Sequence, residues 1–406
     1  MAYRPDRSSG LLTFWQLSKR DSPSPTGAGI LNGGHERRQM TDFNTLLRLY
    51  NKDQFAELLH NPDGLYWLKL RSLSCTKQLQ ELCRRTGINF QGISNNQLLA
   101  HVYNSRPPEH DLDKFIREIY ESERRVRREN EDYLISQLYQ MRDFDWGGLY
   151  QNSLERTIID NYVKKIQSWD RLNLAIENEL HRSMRSYVQC SWYNHWSSII
   201  IEDIFKDHPA ILPAVGLVKK IDFFIHNFPF DLKVTYFPDG YMKALRQKEG
   251  LPSESTVSKK FCRYEKIKFD TNKPEGLLFH ELLTRIIEYP SKAARDFMMN
   301  FRATRMRLIR QTMNAPQNLI RWLYENQGAR RFDAASRFFL ILADAENIEE
   351  SWKLKRNKKL LTDSINKHLD QMQSKTIDNL RIEFKWENEI YETYADALFV
   401  VLHLNG

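Results

Sequence analysis

Ile221-Asp222-Phe223-Phe224-Ile225-His226-Asn227-Phe228-Pro229-Phe230-Asp231-Leu232-Lys233-Val234-Thr235-Tyr236 is the stretch on which the fold turns. Two short runs, Lys220 to Ile225 and Phe230 to Tyr236, flank a turn containing His226 and Asn227, and this predicts two adjacent strands. Side chains alternate along an extended segment, so Phe230, Leu232, Val234 and Tyr236 face a core while Asp231, Lys233 and Thr235 face the other way. Asp222 precedes Asp231 by nine residues, on the neighbouring strand. Acids and an amine at the edge of a core are costly unless they pair or bind a metal. The pattern therefore leaves two explanations, a structural ion pair or a catalytic centre.

Working outward, a helix from about Asn194 to Phe205 precedes the strands, with Trp196, Ile199, Ile200 and Phe205 as its apolar face and Glu202 among its acids. Leu154 to Val188 predicts an earlier helix that carries Glu179. Arg337 to Ala343 predicts a buried strand, and Ile382 to Trp386 and Ala397 to Leu402 predict terminal strands. Helix followed by strand, turn and strand makes the middle of the chain an α/β core. Residues 41–150 predict a helical N-terminal region, with a long charged helix from Asp111 to Met141, and residues 1–40 predict a flexible tail rich in Ser, Pro, Gly and Arg. The polar stretch after Pro238-Asp239-Gly240 predicts a surface excursion.

The chain has 406 residues, enough for two domains or one large elaborated one. Its 41% hydrophobic and 12% aromatic content exclude an intrinsically disordered protein. The net charge of +8 is compatible with a polyanionic partner without demanding one. The four cysteines show no zinc-site spacing, so a reducing cytoplasm is expected. The start lacks the apolar run of a secretion signal, and no apolar segment reaches the ~20 residues of a membrane span.

Phosphodiester hydrolysis needs an activated water, a divalent cation to neutralise charge in the transition state, and help for the leaving oxygen. Asp222 and Asp231 on paired strands suit a hard cation, Lys233 suits the water and the developing charge, and Glu202 is the leading third carboxylate, ahead of Glu179. His208, His226 and His280 are lesser candidates for proton transfer. No glycine-rich phosphate loop with its lysine occurs, so ATP-driven chemistry is not indicated.

In this order, a helix acid, a strand acid, and an acid-x-lysine on the next strand, the residues resemble the PD-(D/E)xK nuclease superfamily, and within it the type II restriction endonucleases. The resemblance runs over about Trp192 to Pro238, with Ile221 where the family often has proline. It implies a restriction-endonuclease-like core, a mixed central sheet flanked by helices, in a nuclease domain over 151–406. It also implies that Glu202, Asp222, Asp231 and Lys233 are catalytic, the three acids holding Mg²⁺, with Mn²⁺ as a substitute. The implied partner is double-stranded DNA, with a homodimer if the target is palindromic and a cognate methyltransferase on the same site. Defence, toxin-like or repair nucleases of relaxed specificity, and a non-catalytic DNA-binding protein, remain alternatives.

Arginines crowd the span Asp296 to Arg331, and Lys353, Lys355, Arg356, Lys358 and Lys359 follow near Trp352. Arg302, Arg305, Arg307, Arg310, Lys353, Lys355 and Arg356 are the expected phosphate contacts. Arg124, Arg125, Arg127 and Arg128, interleaved with glutamates, predict a solvated helix face, with a phosphate-binding stripe as the alternative.

Overall fold

The computed structural model describes residues 40–73, 75–144, 158–216, 221–273, 275–326, 336–344, 347–372 and 375–402. The expected tail, apart from Met40, lies outside these residues, as do Lys220 and the start of the helix expected from Leu154. Residues 41–406 form one compact unit.

A six-stranded mixed sheet runs in the order β1-β2-β3-β4-β6-β5, with β1 Ile211–Pro213, β2 Phe223–Ile225, β3 Phe228–Tyr236, β4 Ser336–Asp344, β5 Arg381–Trp386 and β6 Glu389–Leu402. β1, β2 and β3 form an antiparallel meander, β3, β4 and β6 are parallel, and β5 pairs antiparallel with β6 at the edge. The β2–β3 turn is tight because His226 and Asn227 both adopt left-handed backbone, φ 48° and 66°, which asparagine tolerates better than most residues. Glu387 and Asn388 do the same, φ 47° and 71°, between β5 and β6. β4 is buried along its whole length, so its near-continuous apolar run marks a central strand covered on both faces.

Fifteen α-helices are present among the described residues. The N-terminal region holds α1 Phe43–Asn51, α2 Phe55–His60, α3 Gly64–Ser72, α4 Thr76–Thr86, α5 Asn95–Ser105, α6 Glu109–Glu129 and α7 Glu131–Leu138. The single helix expected from Asp111 to Met141 is thus two, divided at Asn130, whose φ −112° and ψ 2° end one and begin the other. Asparagine competes for backbone hydrogen bonds and favours such caps over helix interiors.

Next come α8 Trp169–Ala175 and α9 His181–Asp207, joined by a π-helical turn over Ile176–Leu180. The helix expected at Asn194 therefore begins much earlier. Nothing between Val188 and Asn194 breaks a helix, and Cys190 and Tyr193 in that interval are buried. The segment after Gly240 is also corrected. Instead of a surface excursion it forms α10 Asp239–Lys248 and α11 Glu254–Tyr264, followed by α12 Glu275–Glu288, α13 Lys292–Asn314, α14 Pro316–Asn326 and, beyond β4, α15 Lys358–Met372. Ser253 caps α11 by accepting from the Thr256 N–H. The buried Cys262 and the partly buried Val257 and Phe261 pack with Leu282 and Phe301, so the polar residues are the outer face of helices.

One sheet face carries Phe230, Phe338, Leu340, Leu342 and Leu398 against Ile200, Ile201, Ile204 and Phe205 of α9 and Leu361, Ile365 and Leu369 of α15. Phe205 stacks on Phe223 at 5.3 Å and meets Phe338 edge-on at 5.0 Å, which seats α9 on the strands. The opposite face packs Phe339, Ile341 and Ala397 against Leu319, Ile320 and Tyr324 of α14 and Leu308 and Ile309 of α13. Lys69, fully buried, donates to Glu109 and Asp113 at 2.8 Å each and to Asn227 Oδ1 at 2.9 Å, which ties the N-terminal helices to the β2–β3 turn. No helix among the described residues is long and apolar enough to cross a membrane.

Candidate active site

β3 supplies the first two groups. Phe230, Leu232, Val234 and Tyr236 join the α9-side core, as alternation requires, so Asp231 and Lys233 share the other face. Lys233 Nζ donates to Asp231 Oδ1 at 2.8 Å. Asp231 is only 7% exposed whereas the Lys233 side chain is 47% exposed. In register opposite Asp231 on β4 stands Arg337, whose buried guanidinium approaches Asp231 Oδ2 at 3.6 Å and lies over the Tyr324 ring at 5.5 Å.

Asp222 immediately precedes β2 and is held by the ladder. Its N–H donates to the Phe230 carbonyl at 2.8 Å, its carbonyl accepts from the Ala214 N–H at 3.1 Å, and its Oδ2 accepts from the Leu232 N–H at 2.7 Å. Burial, followed by the nearby Glu202 charge, pushes this carboxyl up from 3.8 to about 6, while the Leu232 N–H opposes the rise and Asp231 adds to it. Asp222, Glu202 and Asp231 are therefore one electrostatic group. Glu202 comes from α9, where Ile200, Ile201, Ile204 and Phe205 turn inward and leave it one third exposed at the sheet edge. Its carboxylate pairs with Lys206 one turn on.

A consequence for stability follows from the sign of the Asp222 shift. A carboxyl whose folded value is raised favours the fold below its unfolded value and loses that contribution as pH rises through about 6. At pH ~7.5 the ionised Asp222 works against folding. Asp222→Asn, which keeps an oxygen for the Leu232 N–H, is expected to stabilise the protein by roughly 2 kcal/mol at pH ~7.5 and by almost nothing at pH ~4. Urea unfolding of both proteins at the two pH values measures the difference.

Three carboxylates form an oxygen donor set of the kind that hard divalent cations take. Among the described residues, no three or more His, Cys, Asp or Glu side chains are already converged on one metal position. The hydrogen bonds give the reason. Glu202 is turned to Lys206, Asp231 to Lys233, and one Asp222 oxygen to the Leu232 N–H. The donor chemistry fits Mg²⁺ or Mn²⁺, and convergence requires the lysines to give way.

Other expected residues lie elsewhere. Glu179 is in the π-helical turn before α9. His208 Nε2 is 3.2 Å from Asp370 Oδ1, and His226 Nε2 is 3.2 Å from the Met372 carbonyl, so both tie elements together. Of the expected phosphate contacts, Arg305 is corrected. It is 1% exposed and joined to Glu254 at 2.5 Å, holding α13 to α11. Lys355 is corrected as well, because it is buried, donates to Asn194 Oδ1 at 2.7 Å, and is pushed by burial down to about 8. Arg356 donates to the Leu138 and Met141 carbonyls at 3.1 and 2.8 Å. Arg307 forks onto Glu249 at 2.8 and 2.5 Å, and Lys353 meets Glu350 at 2.5 Å. Arg302 lines a cavity of about 390 Å³ with Met298 and Tyr289, and Arg310 is exposed. Of these seven residues Arg305 and Lys355 are buried and Arg356 is tied to backbone carbonyls, while Arg307 and Arg310 are exposed and Arg302 and Lys353 are half-buried.

Lys206 and Arg337 escaped sequence reading. The signal for Lys206 was its i+4 spacing from Glu202, and for Arg337 a lone charge opening an otherwise apolar strand. No family model, curated protein or solved structure matches the chain.

Proposed function

We propose that the chain is a Mg²⁺-dependent endonuclease of double-stranded DNA with a PD-(D/E)xK-type centre, and that site-specific restriction is its role. The observation that carries this reading is the shared electrostatics of Asp222, Glu202 and Asp231, from three separate elements, beside a half-exposed lysine on the same strand face as Asp231. A core that needed only an ion pair at this edge has no use for two further acids, which raise the cost of the first. The mixed sheet flanked by helices agrees with the architecture the resemblance implies.

Asp222, Asp231 and Glu202 would hold the cation, which when bound supplies charge neutralisation at the phosphoryl oxygens. Asp231 and Asp222 are fixed by backbone ladders, so little side-chain entropy is lost in presenting them. Lys233 donates a hydrogen bond, orients the attacking water and stabilises negative charge as it develops. The buried Arg337 guanidinium, 3.6 Å from Asp231 Oδ2, places a fixed positive charge beside that carboxylate. For a palindromic target the protein would act as a homodimer, and a methyltransferase of the same specificity would protect host DNA.

Incubation of unmodified supercoiled plasmid with Mg²⁺ is the test. Discrete bands, abolished by chelator and by Asp231→Asn, are expected. A smear moves the reading to a defence or repair nuclease of relaxed specificity. The 2.8 Å Lys233–Asp231 contact favours one rival, a DNA-binding protein whose Asp-x-Lys is structural. Its mark is DNA binding without cleavage under Mg²⁺ or Mn²⁺, together with a loss of thermal stability in Asp231→Ala.

A further inference from the structure

Lys206 lies inside the carboxylate group, not beside it. Its side chain is 10% exposed, and its ammonium bonds to Glu202 and to the Ala214 carbonyl at 3.1 Å. Ala214 is the residue whose N–H reaches the Asp222 carbonyl, and the Lys206 charge acts directly on Asp222. The ammonium therefore pairs with Glu202 and eases the charge on the nearby Asp222, which is part of the service a bound cation would perform. Lys233 differs: it is 47% exposed on a long flexible stem and leaves Asp231 at little cost.

We infer that Lys206 is an internal counter-cation that competes with the divalent metal for Glu202 and so sets the metal affinity of the centre. This inference rests on the proposed metal site. A cation that takes Glu202 must leave the enclosed ammonium with the Ala214 carbonyl as its remaining acceptor from this pair, and must also sit near a like charge. Both costs are subtracted from the binding free energy of the metal.

The experiment is calorimetric titration of the full chain with Mn²⁺ alone, and separately with Mg²⁺ alone, in the absence of DNA. Lys206→Met keeps the length and apolar stem without the charge. Lys206→Gln keeps a hydrogen-bond donor for the Ala214 carbonyl and covers the case in which the Met variant fails to fold. Both are expected to bind Mn²⁺ about tenfold more tightly than the wild type. In a Glu202→Gln background the gain from Lys206→Met is expected to vanish, since the competition acts through that carboxylate. Unchanged or weaker binding by both Lys206 variants, with the wild type binding, overturns the inference and leaves the site reading in place. A gain that persists at full size in Glu202→Gln also overturns it, because the lysine then acts by general repulsion. Absence of Mn²⁺ binding in wild type and variants overturns the metal-site reading and this inference with it.

Discussion

Lys233→Ala is expected to cut plasmid about 10²–10³-fold more slowly than the wild type under saturating Mg²⁺, while binding the same DNA in chelator nearly as well. The size follows from what the lysine is placed to do. Under the proposed function its ammonium would meet charge that grows in the transition state, so its removal would fall mainly on the rate, and one phosphate contact more or less changes affinity modestly. The fold should hardly register the change, because a pair whose lysine is 47% exposed contributes at most about 1 kcal/mol. The contrast between a collapsed rate and an almost unmoved unfolding midpoint is the discriminating outcome. Lys233→Arg is not expected to restore the rate, since the planar fork places its donors differently from a compact ammonium. If cleavage persists in Lys233→Ala, Lys233 has no part in the chemistry.

The β2–β3 hairpin and its acids were legible because the information is local. An alternation of period two fixes which side chains share a face, and a two-residue turn fixes which strands pair. Asp222, Asp231 and Lys233 needed nothing more. The helix acid was reached by order along the chain, and Glu202 does join Asp222 electrostatically. What failed was the assignment of lone cations. Arg305, Lys355 and Arg356 look like any surface basic residues in sequence, and their partners, Glu254, Asn194 and the Leu138 and Met141 carbonyls, are 51, 161, 218 and 215 residues away. Long side chains bury their stems and find distant acceptors, which composition cannot foresee. Lys206 was hidden differently, because a glutamate and a lysine four apart are ordinarily a solvated helix pair, and only the β1–β2 edge packed beside them makes this one internal.

Arg124→Met is expected to destabilise the protein by about 3–5 kcal/mol, the largest stability effect of a single substitution proposed for this chain. The arginine run on α6 was expected to be a solvated face, and its first member is instead enclosed. Arg124 is 4% exposed in its side chain and reaches Glu131 Oε2 at 2.6 Å, Asp203 Oδ2 at 3.5 Å and Asp207 Oδ1 at 3.1 Å. Arg127 adds a fork onto Asp203 at 2.8 and 2.7 Å, and Lys358 of α15 closes on Glu131 at 2.7 Å. α6, α7, α9 and α15 thus meet in one charge network. Removing its central cation leaves several carboxylates undercompensated.

The pH dependence separates this from a surface effect. Burial alone would raise Glu131 and Asp207, but the Arg124 bonds, with Lys358 at the first and Tyr120 at the second, outweigh it and hold both below the usual carboxylate range. Lowered acids favour the fold above their unfolded values, about 4, and lose that contribution as pH falls through the lowered ones. The deficit of Arg124→Met is therefore expected to be full at pH ~7 and to shrink below pH ~4, with little change between low and high salt, because enclosed pairs are poorly screened. Denaturant unfolding across pH and ionic strength reads all three. A deficit under about 1 kcal/mol that fades with salt would return the cluster to an ordinary helix surface. Asp203 and Asp207 occupy the stripe of α9 adjoining Glu202 and Lys206, so the same network that anchors the helix sets where the candidate metal ligand stands.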